Sequence, residues 1–214
     1  MKKPKKTRKP AKAKKPKAKA KAKAKARARS AKKPARPKAR ARRGGVESHP
    51  GYVALITKLK PGRYAGGALI LTRPGAHDAE MAPWLMGKTE GRKSLGRTAF
   101  GDFVIFRDLS ARAQELGLPH PEEACDVALI DVHYKKMTML ADSASSFISS
   151  LDDDGWQLAF MRKELYEAAK ERVGDYADDE CFMFVPALAL GGSEDAQSVQ
   201  RGKWREHQSI LFQT

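Results

Sequence analysis

Residues 125–140 read CDVALIDVHYKKMTML and hold a clear signal for antiparallel β-structure. Two stretches, residues 125–132 and residues 136–140, flank a short connection, His133-Tyr134-Lys135. Runs of strand-forming residues separated by so short a connection are typical of a β-hairpin. We therefore predict two neighbouring antiparallel strands here.

Three stretches on the N-terminal side of this hairpin also favour strands. Residues 98–107, TAFGDFVIFR, give the strongest signal, and residues 67–72, GALILT, give another. Residues 52–59, YVALITKL, are apolar and β-favouring as well, and Pro61-Gly62 has turn chemistry. Two segments are predicted to lack regular structure: residues 87–97, a basic loop, and residues 108–124, an irregular stretch with two prolines.

Helical spacing of apolar residues marks four segments: residues 77–86, 144–151, 158–173 and 195–212. Ser143 is a predicted N-cap of the second helix, and Gly174 is predicted to end the third. Strands and helices interleave without regular βα repeats. The sequence therefore predicts an α+β fold, a mostly antiparallel sheet with helices packed on one side of it.

Charge divides the chain into two parts. Residues 1–44 contain 23 Lys or Arg and no acidic residue, whereas the rest of the chain contains 19 basic and 25 acidic residues. The basic part has almost no large apolar side chain, so burial cannot offset the entropy cost of folding it. We predict a disordered Lys/Ala/Pro-rich tail over residues 1–45 and a single α+β domain over residues 46–214.

The tail is predicted to contact nucleic acid through phosphate neutralisation and counterion release. It has no aromatic residue on which a base could stack, so binding to DNA or RNA should be independent of sequence. Its composition resembles the tails of linker histones and bacterial histone-like proteins. An acidic protein surface as ligand, or a solubilising extension without a ligand, stays open. The candidate nucleic-acid-binding residues are Lys12, Lys14, Lys15, Lys17, Lys19, Lys21, Lys23, Lys25, Arg27 and Arg29.

The sequence contains no recognised catalytic, metal or cofactor motif. The five histidines form no close metal-ligand pair, and the two cysteines form no zinc motif. His133, two residues after Asp131, could polarise a water in a hydrolase, but one such pair is common. We therefore expect no enzyme activity, no metal and no cofactor. No apolar run suggests a membrane span or a secretory signal, so we expect a cytoplasmic protein, nucleoid-associated if the tail binds DNA.

Several motifs in the second half of the chain resemble one bacterial family. They are RTAFGD (97–102), LYEAA (165–169), RVG (172–174), DECF (179–182), FVPALALGGS (184–193), Glu206-His207 and Ile210-Leu211. Together they resemble the C-terminal domain of the type VI secretion DNase-immunity family, which usually follows a GAD-like domain. Residues 97–214 match best, and residues 46–97 would be a shortened GAD-like part. The resemblance implies a non-enzymatic antitoxin that binds a cognate nuclease toxin and blocks its active site.

Two acidic clusters are the predicted partner interface: Asp152, Asp153 and Asp154, and Asp178, Asp179 and Glu180. They could form an acidic surface that docks onto a basic nuclease cleft. The plainer interpretation is that they begin helices and line solvated turns. For FVPALALGGS, a buried segment broken by Pro186 and followed by a turn is favoured over an anion-binding loop, because no GKS or GKT follows.

The first functional interpretation is thus an immunity-type binding protein with a polybasic tail. The alternative is a nucleoid-associated or RNA-binding protein that acts through the tail, with the domain as a structural or dimerising platform.

Overall fold

The structure is a computed structural model that describes residues 45–214. Residues 1–44, which include the ten candidate nucleic-acid-binding residues of the tail, lie outside the described part.

The described strands form two antiparallel sheets. The larger sheet has six strands in the order β1-β2-β3-β4-β5-β6, so every neighbour in space is also a neighbour in sequence. The smaller sheet pairs β7 with β8. The strands are β1 (Gly62–Tyr64), β2 (Leu69–Leu71), β3 (Arg92–Thr98), β4 (Phe103–Asp108), β5 (Cys125–Asp131), β6 (Lys136–Ala141), β7 (Glu180–Phe184) and β8 (Val199–Lys203). The predicted α+β class with an antiparallel sheet is confirmed, as is the hairpin formed by β5 and β6.

Seven α-helices accompany these strands in residues 45–214. They are α1 (Pro50–Lys58), α2 (Asp78–Met81), α3 (Ser110–Glu115), α4 (Ala144–Ser150), α5 (Asp154–Met161), α6 (Lys163–Val173) and α7 (Trp204–Gln213).

Both faces of the large sheet are buried by helices. Because side chains alternate along a strand, β4 supplies residues to two separate hydrophobic clusters. Val104 and Phe106 join a cluster that contains side chains from α1, α4, α5 and α6. Phe103 and Ile105 join a second cluster with side chains from α2 and α7. The prediction that helices cover one side of the sheet is therefore wrong.

The segment predicted as a strand at residues 52–59 lies in helix α1. The His49 side chain caps this helix, since its Nδ1 accepts a hydrogen bond from the Gly51 N–H at 3.1 Å, and Pro50 occupies the first turn, where proline is favoured. Tyr52 and Leu55, three residues apart, are buried. Apolar, β-branched composition predicted a strand, but capping and burial on one helical face favour the helix.

The basic loop predicted at residues 87–97 is largely strand β3. Its charged side chains find tertiary partners: Lys93 pairs with Glu47 at 3.1 Å and with Asp78 at 3.2 Å. Arg97 is buried and donates to the Asp178 carbonyl oxygen at 2.6 Å. The strand predicted at 98–107 begins later, because residues 99–102 form the turn from β3 to β4.

Three further segments differ from the prediction in their helices. The helix predicted at 195–212 begins only at Trp204, because residues 199–203 form β8 and pair with β7. The stretch at 108–124 contains α3. The helix predicted at 158–173 is divided at Arg162 into α5 and α6. The cap at Ser143 is confirmed, since its Oγ accepts a hydrogen bond from the Ser146 N–H at 3.1 Å.

Candidate functional site: a buried charge cluster beside a groove

Arg162 is the centre of a charge cluster between the helices and the large sheet. It separates α5 from α6 and has a left-handed backbone, with φ of 48°. Its guanidinium donates to three carboxylates: Nη1 to Asp102 at 2.7 Å, Nη2 to Asp131 at 3.1 Å and Nε to Glu194 at 2.6 Å. These four residues are called the Arg162 cluster below. They connect the β3–β4 turn, the end of β5, the α5–α6 junction and the loop before β8.

Asp102 is the most deeply buried member of the cluster, with no exposed surface. It also accepts hydrogen bonds from the Thr98 hydroxyl at 3.0 Å and from the Val132 N–H at 3.1 Å. Burial alone raises the pKa of Asp102, but the Arg162 charge and these hydrogen bonds outweigh it and hold the pKa below its ordinary value. Burial alone likewise lowers the pKa of Arg162, and the facing carboxylates reverse the direction and raise it. Both groups are therefore charged at neutral pH.

Glu194 reaches Arg162 because of the glycine turn that precedes it. Gly191 has φ of +84°, a conformation that glycine adopts readily. A Cβ on Gly192 would lie 1.9 Å from the Pro186 carbonyl oxygen, so this position has no room for a side chain. The far end of Glu194 accepts a hydrogen bond from the Tyr134 hydroxyl at 2.6 Å. The GGS motif thus forms a turn that positions a carboxylate.

Two depressions adjoin the contact between Arg162 and Glu194, and both residues line each of them. On one side is a cavity of about 370 Å³, whose walls include Leu129, Phe160 and Thr138 and whose rim carries Tyr134 and Lys136. On the other side is a depression of about 310 Å³ that adds Leu158, Glu164 and Leu165. These two depressions are called the Arg162 groove below. The lining of this groove combines apolar side chains with charged ones.

The first predicted interface cluster lies at the start of α5. Asp153 caps this helix, since its Oδ1 accepts a hydrogen bond from the Trp156 N–H at 2.6 Å. Asp154 pairs with Lys163 at 2.6 Å. Asp152 is exposed and has no hydrogen bond or ion pair from its side chain among residues 45–214.

The second predicted interface cluster lies before and at the start of β7. Asp178 is 3.5 Å from Arg63, and Asp179 is 2.6 Å from Lys203. Glu180 Oε2 accepts a hydrogen bond from the Ala177 N–H at 3.0 Å. Neither cluster lines the Arg162 groove. Five of the six predicted residues therefore have partners within the chain, and their role at an interface stays a prediction.

The pair of His133 and Asp131 does not have the geometry of a water-activating dyad. Asp131 accepts a hydrogen bond from the backbone N–H of His133 at 3.1 Å, and its other oxygen binds Arg162. The His133 ring lies 2.9 Å from the Phe100 carbonyl oxygen through Nε2 and is buried. Its neighbour His207 is also buried, and burial lowers the pKa of His207 to about 3.

Residues 45–214 contain no group of three or more His, Cys, Asp or Glu side chains placed to bind a metal ion. No helix in this part of the chain is both long and apolar enough to cross a membrane.

The Arg162 cluster was not predicted from the sequence. Asp102 belonged to the RTAFGD motif, and Glu194 followed FVPALALGGS, but nothing marked them as partners of one arginine 60 and 32 residues away. Arg162 itself lay inside an apparently continuous helical pattern. Two features of the sequence could have indicated that this helix is divided. They are the acidic run before α5 and the charged residues Arg162-Lys163-Glu164, which follow Met161.

Two comparisons with known proteins concern the fold and the sequence. The crystal structure of Atu4351 from Agrobacterium tumefaciens has a TM-score of 0.50 to this chain at 14% identity, covering 76% of this chain and 74% of that one. This likeness concerns the fold alone. No curated protein matches the sequence.

A family model matches the C-terminal third of the chain. Its description is T6SS immunity protein Tdi1, C-terminal, and it covers residues 141–214, which run from the end of β6 to the C-terminus. The matched part contains Arg162 and Glu194, whereas their partners Asp102, Asp131 and Tyr134 lie in the part before it. The match supports a role as a type VI secretion immunity protein. The resemblance to a type VI secretion immunity family, predicted from sequence motifs, is thereby confirmed over residues 141–214.

Proposed function

We propose that this chain is an immunity protein that neutralises a secreted nuclease toxin by direct protein–protein binding. The observation that carries this proposal is the family match over residues 141–214. The part before the match would supply the sheet on which the matched helices rest. In this proposal the 46–97 segment is a shortened GAD-like part.

A binding role without catalysis agrees with how the polar groups are used. The one candidate pair for a hydrolase, His133 and Asp131, is buried: His133 Nε2 faces a carbonyl oxygen and Asp131 binds Arg162. A general base must come within hydrogen-bond reach of its substrate, and burial keeps both side chains away from one. These groups serve the fold instead.

The two acidic clusters are proposed to contact the toxin. A nuclease cleft that holds nucleic-acid phosphates is basic, and complementary charge speeds association and helps specificity. The internal pairs of Asp154 and Asp179 are surface ion pairs, which contribute little to stability. Exchanging their lysine partners for basic residues of a toxin would therefore cost little.

The tail is proposed to hold the protein near nucleic acid in the cytoplasm. A DNase acts on the chromosome, and tethering the antitoxin there raises its local concentration. The alternative function, a nucleoid-associated or RNA-binding protein that acts through the tail, is favoured by the 23 basic residues of residues 1–44 alone. In that case the domain need not bind a toxin.

The test is to look for a nuclease effector encoded beside this chain's gene and to assay its inhibition by this chain; the absence of such a gene would favour the alternative. We expect full inhibition of plasmid cleavage at equal molar amounts, and a complex of the two proteins in size-exclusion chromatography. DNase I is the control, because a tail that merely coats DNA would protect it from any nuclease. Equal protection from both enzymes without a complex would contradict the proposal and favour the alternative.

The proposed interface is tested at Asp152, which has no internal partner to lose. Asp152→Lys should weaken the complex with the effector and slow its formation. Glu90→Lys is the matched control, since Glu90 is also exposed and lies outside both clusters. Unchanged affinity of the Asp152 variant would remove the first cluster from the interface.

A further inference from the structure

The Arg162 groove keeps an excess of negative charge after its internal pairing. Asp102, Asp131 and Glu194 face one arginine. The adjoining depression adds Glu164, an exposed carboxylate without an ion-pair partner in the described part of the chain. The one further cation at the groove is Lys136. Three carboxylates, Asp131, Glu164 and Glu194, therefore line the groove against two cations, and the fully buried Asp102 lies behind Arg162.

Lys136 is held loosely at this site. Its Nζ lies 4.0 Å from Asp131 Oδ2 and 4.9 Å from the centre of the Tyr134 ring, and its side chain is 58% exposed. By contrast, Lys163 and Lys203 lie 2.6 Å from their carboxylate partners. Because its contacts are long and its own side chain is mostly exposed, Lys136 can move away at little cost. It occupies a place that suits a better-fitting cation.

The shape and chemistry of the groove fit an arginine side chain. Leu129, Ala159 and Phe160 offer apolar wall for its aliphatic stem, in a cavity of about 370 Å³. The Tyr134 ring is half exposed and, once Lys136 moves, offers a face on which a planar guanidinium stacks. Glu194 is about one-third exposed and can accept a further hydrogen bond beside that ring.

We propose that the Arg162 groove is the docking site for an arginine side chain of the protein partner, and that Lys136 holds this place in the free protein. The identity of the partner rests on the proposed function: a nuclease cleft lined with cations for phosphate presents such side chains. The groove joins the family-matched residues Arg162 and Glu194 to Asp131, Tyr134 and Lys136 outside the match.

The probe for this site is N-acetyl-arginine amide, titrated into the ¹⁵N-labelled full chain at physiological salt. We expect saturable NMR shifts of the backbone amides of Tyr134, Thr138 and Glu194. N-acetyl-citrulline amide has nearly the same shape without the charge, and it should cause no such shifts. No saturable change, or the same change with citrulline, would overturn the proposal.

Charge-changing variants at the groove should alter the affinity for the probe in opposite directions. Lys136→Ala should tighten binding of the probe about two- to fivefold, and Glu164→Gln should weaken it by a similar factor, as expected for solvated charges. Glu90→Gln is the matched control and should change nothing, since Glu90 lies outside the groove. Weaker binding by the Lys136 variant would contradict the proposal. Because no toxin is used, such a failure leaves the immunity function standing, and that function is tested by the inhibition assay.

Discussion

At the scale of single residues, Arg162 shows how a strained backbone is held in place. A residue with a side chain in the left-handed conformation costs roughly 1–2 kcal/mol. The three carboxylates that receive its guanidinium fix this conformation, and Asp102 depends on it in return. Asp102 is fully buried, and a buried carboxylate that loses its cation is far more costly than an exposed one.

Arg162→Met should therefore lower the free energy of unfolding by roughly 3–5 kcal/mol, because it leaves Asp102 charged and buried. Urea unfolding followed by tryptophan fluorescence measures the loss. Arg112→Met is the control, since Arg112 pairs with Glu115 on the surface and such pairs contribute little. Similar losses in the two variants would mean that the cluster does not support the fold.

A second residue, His207, should make the stability of the fold depend on pH. Burial, with a smaller contribution from the neighbouring His133, lowers the pKa of His207 to about 3. Between this value and about 6.5, the unfolded chain binds a proton at His207 and the folded chain does not, so stability falls as pH falls. His77 acts in the same direction, because burial and Arg97 lower the pKa of His77.

The contribution of His207 is about 2 kcal/mol lost between pH 7 and pH 5. Urea unfolding at several pH values should show this slope, and His207→Gln should reduce it. His120→Gln should leave the slope unchanged, because the His120 side chain is 76% exposed. A slope that the His207 variant retains would place the titrating group elsewhere.

At the scale of elements, the helices and strands that could be predicted are those whose sequence patterns are local. The β5–β6 hairpin follows from two runs and a short connection, and α4 follows from the Ser143 cap. Strand β3 could not be predicted, because its charged residues are satisfied by Glu47, Asp78 and the Asp178 carbonyl oxygen, all distant in sequence. The Arg162 cluster was missed in the sequence-based prediction for the same reason, because its members meet only in the folded chain.

Close strand packing gives a prediction at this scale. In β3, a Cβ on Gly96 would lie 2.1 Å from the Ile70 carbonyl oxygen and 2.8 Å from the Leu71 Cα, both backbone atoms of β2. Gly96→Ala should therefore destabilise the domain by at least about 1–3 kcal/mol, since the neighbouring strand must shift. The loss appears as a lower urea midpoint.

The matched control is Gly62→Ala in β1, where the nearest atom to a new Cβ is a Tyr64 ring carbon at 4.0 Å. This variant should unfold near the wild-type midpoint. A Gly96 variant as stable as the Gly62 variant would mean that β2 and β3 can separate without cost.

At the scale of the whole molecule, the net charge of +17 describes neither of its parts. The basic residues of 1–44 and the acidic excess of 45–214 suit opposite partners, a polyanion and a basic protein surface. The proposed function gives nucleic-acid contact to one part and toxin binding to the other, so it predicts that removing residues 1–44 separates the two activities.

The full chain should bind duplex DNA with an affinity that falls steeply with salt. If eight of the tail charges neutralise phosphates, the logarithm of the association constant falls with the logarithm of salt concentration with a slope of about −7. A chain of residues 45–214 should lose this binding, because it has more acidic than basic residues.

The shortened chain should still inhibit the cognate nuclease, since the family-matched residues and the Arg162 groove remain. Fluorescence anisotropy with a labelled duplex and the plasmid-cleavage assay measure the two activities on the same preparations. DNA binding that survives the deletion, or inhibition that is lost with it, would contradict the separation of the two tasks.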